Sequence, residues 1–170
     1  MPPLGAGENA ECDSDFRSSA NVRGETQPTG ASHATVTITQ VTMTLRLNIN
    51  IWLPLGVIPR VTDHEEGHRQ ISQYYYEGAD KLAARIAAKY LGRQIEVSGP
   101  DLNAETNQVL LRMANEITEE YGKELDPAPA QLLYDTITDH GRNDVVVKDA
   151  VDHALKNVSI EWLPRAPAGS

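Results

Sequence analysis

Thr62-Asp63-His64-Glu65-Glu66-Gly67-His68-Arg69-Gln70-Ile71 contains an HExxH box at 64–68. On a helix, residues four apart are rotated by only about 40° and separated by about 6 Å along the axis, so both imidazoles point the same way. They can hold one metal ion. Glu65 then flanks the ion without ligating it, where it can take a proton from a zinc-bound water. Without a metal, the same residues describe a solvated helix start whose Glu65 and Glu66 favour the helix dipole.

The surroundings favour a helix. Thr62 or Asp63 is a suitable N-cap, and Thr62 with Glu65, or Asp63 with Glu66, has the spacing of a capping box. No proline follows until Pro100, and Ile71, Tyr75, Gly78, Leu82 and Ile86 continue at helical spacing below the two histidines. The pattern predicts one uninterrupted helix whose metal face runs on into a core face, ending at Gly92. Gly67 is out of place in a helix interior, where it costs about 1 kcal/mol relative to Ala. A close approach by another backbone would account for it.

Upstream, Val36 and Ile38 alternate with threonines, and then Val41, Met43, Leu45, Leu47, Ile49, Ile51 and Leu53 alternate with more polar residues. The apolar phase slips at Gln40, as at a β-bulge or a bend. With no Gly or Pro from Thr35 to Leu53, the stretch predicts one long, half-buried strand rather than a tight hairpin. Downstream, residues 101–121 carry Val109, Leu110, Met113, Ile117 and Tyr121 as a core stripe. Shorter helices are expected from Pro127 or Pro129 to about His140, and from Lys148 to Asn157.

A catalytic zinc site ordinarily has three protein ligands and one open position. His33, His140, His153, Glu77 and Asp80 are candidates for the third. Glu77 lies nine residues beyond His68, about 13.5 Å along a straight helix and too far to share an ion, and Asp80 would need a break at Gly78. Tyr134 is either an oxyanion donor or, as its angular distance from His140 favours, a packing residue. Asp135, Asp139 and Asp144 could each orient a ligand imidazole through its other nitrogen.

His64-Glu65-Glu66-Gly67-His68 followed by Tyr134-Asp135-x-x-Thr138-x-His140-Gly141 resembles an uncharacterised bacterial family described as predicted secreted zinc-dependent proteases. The resemblance covers roughly residues 30–145 and implies a zincin-like metallopeptidase. It implies Zn2+ as cofactor, His64, His68 and His140 as ligands, and Glu65 as catalytic base. It also implies a secreted or periplasmic location, although no signal peptide stands at the start of this chain. The fold class expected is α+β and zincin-like: an N-terminal β-sheet with a long strand, then the HExxH helix and a helical C-terminal part. In zincins an edge strand above this helix pairs with extended substrate, a role the long strand could fill.

The 170 residues suggest a single zincin-like domain over 31–163, a flexible arm over 1–30 rich in Gly, Pro, Ser and acidic groups, and a disordered tail over 164–170. A net charge of −9 with scattered Lys and Arg argues against a nucleic-acid partner. No apolar stretch of roughly 18 residues is present to span a membrane. A single cysteine, Cys12, rules out an intrachain disulfide. Two function classes follow: a zinc-dependent peptide-bond hydrolase acting on a peptide or protein, or a non-catalytic metal-stabilised or partner-binding module of the same fold.

Overall fold

A computed structural model of the chain describes residues 10–158. Two long strands come first, β1 (Glu11–Gly30) and β2 (His33–Trp52), followed by α1 (Pro59–Glu77) and α2 (Ala79–Tyr90). A short strand β3 (Gln94–Ser98) precedes α3 (Leu102–Glu124), α4 (Ala128–Thr138) and α5 (Val147–Asn157). The three strands form one antiparallel sheet in the order β1-β2-β3, so the architecture is α+β. No helix among the described residues is long and apolar enough to cross a membrane.

The described residues divide into two compact units. The first holds residues 10–16, 47–79 and 126–158, and the second holds 17–46 and 80–125. Residues on both sides of position 30 belong to the second unit. The expected tail over 164–170 and the stretch 159–163 lie outside the described residues.

The flexible arm is corrected over residues 11–30, which form β1. Its inward positions in the second unit are Ser18, Ala20, Val22 and Gly24, of which only Val22 is a sizeable apolar residue. The alternation is present but carried by small side chains, so composition concealed it. β2 is then one arm of a hairpin and the central strand of the sheet, not a lone or edge strand, with β3 pairing across His33–Thr37. The phase slip does occur: even-numbered residues are buried as far as Ile38, Thr39 and Gln40 are both exposed, and odd-numbered residues turn inward from Val41.

In the second unit, Ala34, Val36 and Val97 form a sheet core covered by Leu102, Val109 and Leu110. Asp101 caps α3 by accepting from the Asn103 and Ala104 amides. Arg85 and Lys89 of α2 pair with Glu124 and Glu120 of α3, and the Tyr90 hydroxyl donates to Glu120 at 2.8 Å.

In the first unit, α1, α4 and α5 pack on one another. α1 starts earlier than the capping-box spacing suggested, with Pro59 in its first turn and Ile58 as an uncapped N-cap. Proline's fixed φ and missing N–H suit that position, so the sequence has a start signal upstream of Thr62. The helix is also not continuous to Leu91. Gly78 ends α1 and its N–H bonds to Tyr75 O, after which α2 begins at Ala79. Both halves keep their core residues: Ile71, Tyr75, Leu82 and Ile86 are fully buried.

Gly24 tests the revised N-terminus. A Cβ there would lie 2.9 Å from the Thr37 carbonyl oxygen and 3.0 Å from Val36 Cγ1. Gly24→Val should cost about 1–3 kcal/mol through overpacking, measured by urea denaturation. A flexible arm would give no change.

Candidate metal centre

HExxH lies inside α1, and its orientation is set by α4. On α4, Gln131, Tyr134, Asp135 and Thr138 follow the i, i+3, i+4, i+7 spacing of a single helix face. That face meets α1 at Gly67. Tyr134 is fully buried, its ring stacked on His64 with centroids 5.1 Å apart and edge-on to His68 at 5.0 Å. Its hydroxyl donates to the His64 carbonyl at 3.2 Å. A Cβ on residue 67 would fall 2.1 Å from that hydroxyl oxygen, so the close approach that Gly67 permits is by a phenol, not a backbone. With its proton committed and its pKa pushed up by burial, Tyr134 is a packing and anchoring residue.

Asp135, one helical position on, reaches both histidines. Its Oδ1 lies 3.3 Å from His64 Nε2 and 3.0 Å from His68 Nε2, and the two Nε2 atoms are 3.2 Å apart. Among the described residues, His64, His68 and Asp135 form the one group of three His, Cys, Asp or Glu side chains able to hold a metal ion.

The hydrogen bonds on the far side of each ring fix which nitrogen carries a proton. Gln131 Nε2 donates to the His68 carbonyl at 3.1 Å and to Ser72 Oγ at 2.9 Å, which turns its Oε1 toward His68 Nδ1 at 2.6 Å. Oε1 can only accept, so His68 Nδ1 carries the hydrogen. Thr138 Oγ1 gives its single proton to the Tyr134 carbonyl at 2.8 Å and accepts from His64 Nδ1 at 3.2 Å. Each ring therefore directs an Nε2 lone pair at the Asp135 carboxylate. Three acceptors meeting at about 3 Å repel one another unless a positive charge, a proton or a cation, sits among them.

The pKa directions record this balance. Burial opposes ionisation of Asp135, but once a proton sits on an Nε2 the hydrogen bonds from His64 and His68 hold its carboxyl far below the ordinary carboxylate value. Burial likewise works against the His68 imidazolium, and the bonds to Asp135 and Gln131 outweigh it and raise the pKa above 6.5. Glu65 is 6% exposed, and burial raises its pKa above 4.5 against the opposing influence of His68 and His64. The Cys12 backbone N–H donates to the Glu65 carboxylate. Burial pushes the Cys12 thiol itself up to about 11, so it stays protonated.

Of the expected site residues, His64, Glu65 and His68 are brought together, and His140 is not in the metal-capable group. α4 ends at Thr138, and Asp139 and His140 adopt left-handed backbone with φ of 48° and 51°. This carries the His140 side chain outward, where it is 65% exposed with Nδ1 3.7 Å from Asp135 Oδ1. Asp135 takes the third position. It faces the inner nitrogens, not the outer ones at which a carboxylate that orients the rings would stand. Gln131 and Thr138 hold those outer positions, and the i, i+3, i+4, i+7 run of polar and aromatic residues on α4 was the signal that could have found them. Glu77 ends α1, Asp80 lies in the first turn of α2, and His33 and His153 are on β2 and α5; none joins the group.

No known protein family, no curated protein and no solved structure matches this chain.

Gly67→Ala should destabilise the protein by about 1–3 kcal/mol despite alanine's better helix propensity, because the phenol must move. In a Tyr134→Ala background the same substitution should become neutral or stabilising. Thermal unfolding of the four proteins gives the coupling directly.

Proposed function

We propose that the chain is a zinc-dependent peptide-bond hydrolase of zincin-like fold, acting on a peptide or protein substrate. The observation that carries the reading is the triangle of His64 Nε2, His68 Nε2 and Asp135 Oδ1, with sides of 3.0, 3.2 and 3.3 Å. Ligands about 2.0–2.1 Å from a tetrahedral zinc stand roughly 3.3 Å apart, so the triangle matches one face of that tetrahedron. Two imidazoles and one carboxylate are a donor set known for catalytic zinc, and the outer bonds to Gln131 and Thr138 fix the tautomers that ligation requires.

A zinc ion held there supplies Lewis acidity, polarising a carbonyl and making water acidic enough to react near neutral pH. Glu65, next to His64 on α1, takes one proton from the attacking water. The water oxygen bonds to the scissile carbonyl carbon, the C–N bond breaks, and Glu65 returns the proton to the leaving amine. Burial of Glu65 suits this cycle because a raised pKa brings the carboxyl closer to working pH. The Cys12 N–H holds the carboxylate in place.

The second reading, a metal-stabilised or partner-binding module, draws support from the same burial, since Glu65 is only 6% exposed. Structural zinc sites are usually closed by four protein ligands, and three leave a position for water or substrate.

Elemental mass spectrometry and cleavage of a fluorogenic peptide pool separate these readings. Wild type and Glu65→Gln should both hold near-stoichiometric zinc, and Glu65→Gln should lose at least about 100-fold in rate. Asp135→Ala should fail to retain zinc, and Gln131→Ala should weaken its affinity by about 10–100-fold. A folded wild type that cannot be loaded with zinc removes the hydrolase reading.

A further inference from the structure

His140 is the most exposed ionisable side chain recorded against the metal-capable group. It is 65% exposed, compared with 8% for His64, 14% for His68 and 22% for Asp135. Its Nδ1 lies 3.7 Å from Asp135 Oδ1, beyond hydrogen-bond range yet beside the atom that both ligand histidines face.

The backbone beneath it is firmly held. His140 N–H bonds to Asp135 O at 3.0 Å, Asn143 N–H bonds to Thr138 O at 2.9 Å, and the Asn143 amide donates to Ile137 O at 3.2 Å. Gly141, at φ 73°, lies against the ligand itself: a Cβ there would meet His64 Cβ and Cγ at 3.0 Å. Residue 140 is thus a non-glycine residue in left-handed backbone, a conformation in which glycine is unstrained. An exposed ring adds little packing in return. What the imidazole contributes is its exposed position beside Asp135.

We infer that His140 is the substrate-facing hydrogen-bond donor of this site, directing an imidazole N–H at the carbonyl oxygen of a peptide at the coordination position that His64, His68 and Asp135 leave open. This rests on the hydrolase reading. His140 transfers no proton in this role. It stabilises the negative charge that grows on the carbonyl oxygen as water adds, and loss of such a donor typically lowers kcat by 100-fold to 1000-fold. The rigid loop supplies the preorganisation that makes a donor effective.

The test compares zinc-loaded wild type with His140→Gly, which suits the left-handed backbone, and His140→Asn, which tolerates that backbone and keeps an N–H donor. Three quantities are read: zinc stoichiometry by elemental mass spectrometry, cleavage of a fluorogenic peptide pool, and calorimetric affinity for a dipeptide phosphonamidate whose tetrahedral oxyanion mimics the transition state. The expected result is full zinc content in all three proteins. In His140→Gly, kcat should fall by about 100-fold or more with KM nearly constant, and phosphonamidate affinity should fall at least tenfold; His140→Asn should recover part of both. Loss of zinc from His140→Gly would make His140 a ligand and overturn the inference, as would unchanged kcat and phosphonamidate affinity. A zinc-loaded wild type that neither cleaves the peptides nor binds the phosphonamidate overturns both this inference and the hydrolase reading.

Discussion

The candidate metal centre depends on a single close contact, the phenol of Tyr134 standing where residue 67 has no side chain. This contact sets the distance between α1 and α4 and the rotation of α4 about its own axis. Once Tyr134 is seated on the His64 ring, helical geometry places Asp135 one step around and Gln131 and Thr138 a turn away on either side, all facing α1. The Asp135 carboxylate and both outer hydrogen-bond partners therefore follow from one packing event. A site assembled this way is supported on regular elements rather than loops, which keeps its distances narrow.

Electrostatics then gives the contact chemical meaning. Two lone pairs and a carboxylate oxygen within 3.0–3.3 Å of one another are unfavourable in isolation, and the folded chain tolerates them because Gln131, Thr138 and the Tyr134 hydroxyl anchor the histidines from behind. The stress is confined to a small volume, and a proton or a cation there would relieve it. Glu65, held by the Cys12 N–H from β1, remains outside the triangle. The N-terminal strand thereby reaches the candidate site through the Cys12 backbone, a contact that its composition does not announce.

Helices were the most legible elements because their apolar spacing is long and regular. Ile71, Tyr75, Leu82 and Ile86 were all assigned to a core face and all are fully buried. The break at Gly78 was not legible, since the spacing passes through it unchanged. β2 was legible down to the phase slip at Thr39 and Gln40, whereas β1 was hidden by small inward residues such as Ser18, Ala20 and Gly24. β3 was missed because five residues with only Ile95 and Val97 as apolar positions give little periodicity to detect.

By itself the sequence determined the inner half of the site: HExxH on a helix commits His64 and His68 to one face with Glu65 beside them, because a spacing of four residues is fixed by the backbone. It also marked Gly67 as a point of close approach. Only the tertiary structure decided which residue completes the group. Asp135 and His140 are both close to the box in space, and their competition is settled by where α4 ends. The helix carries Asp135 inward at its last turn, and left-handed backbone at Asp139 and His140 sends the next imidazole toward solvent. Whether the helix ends before or after residue 140 is a difference of two positions, finer than local spacing resolves.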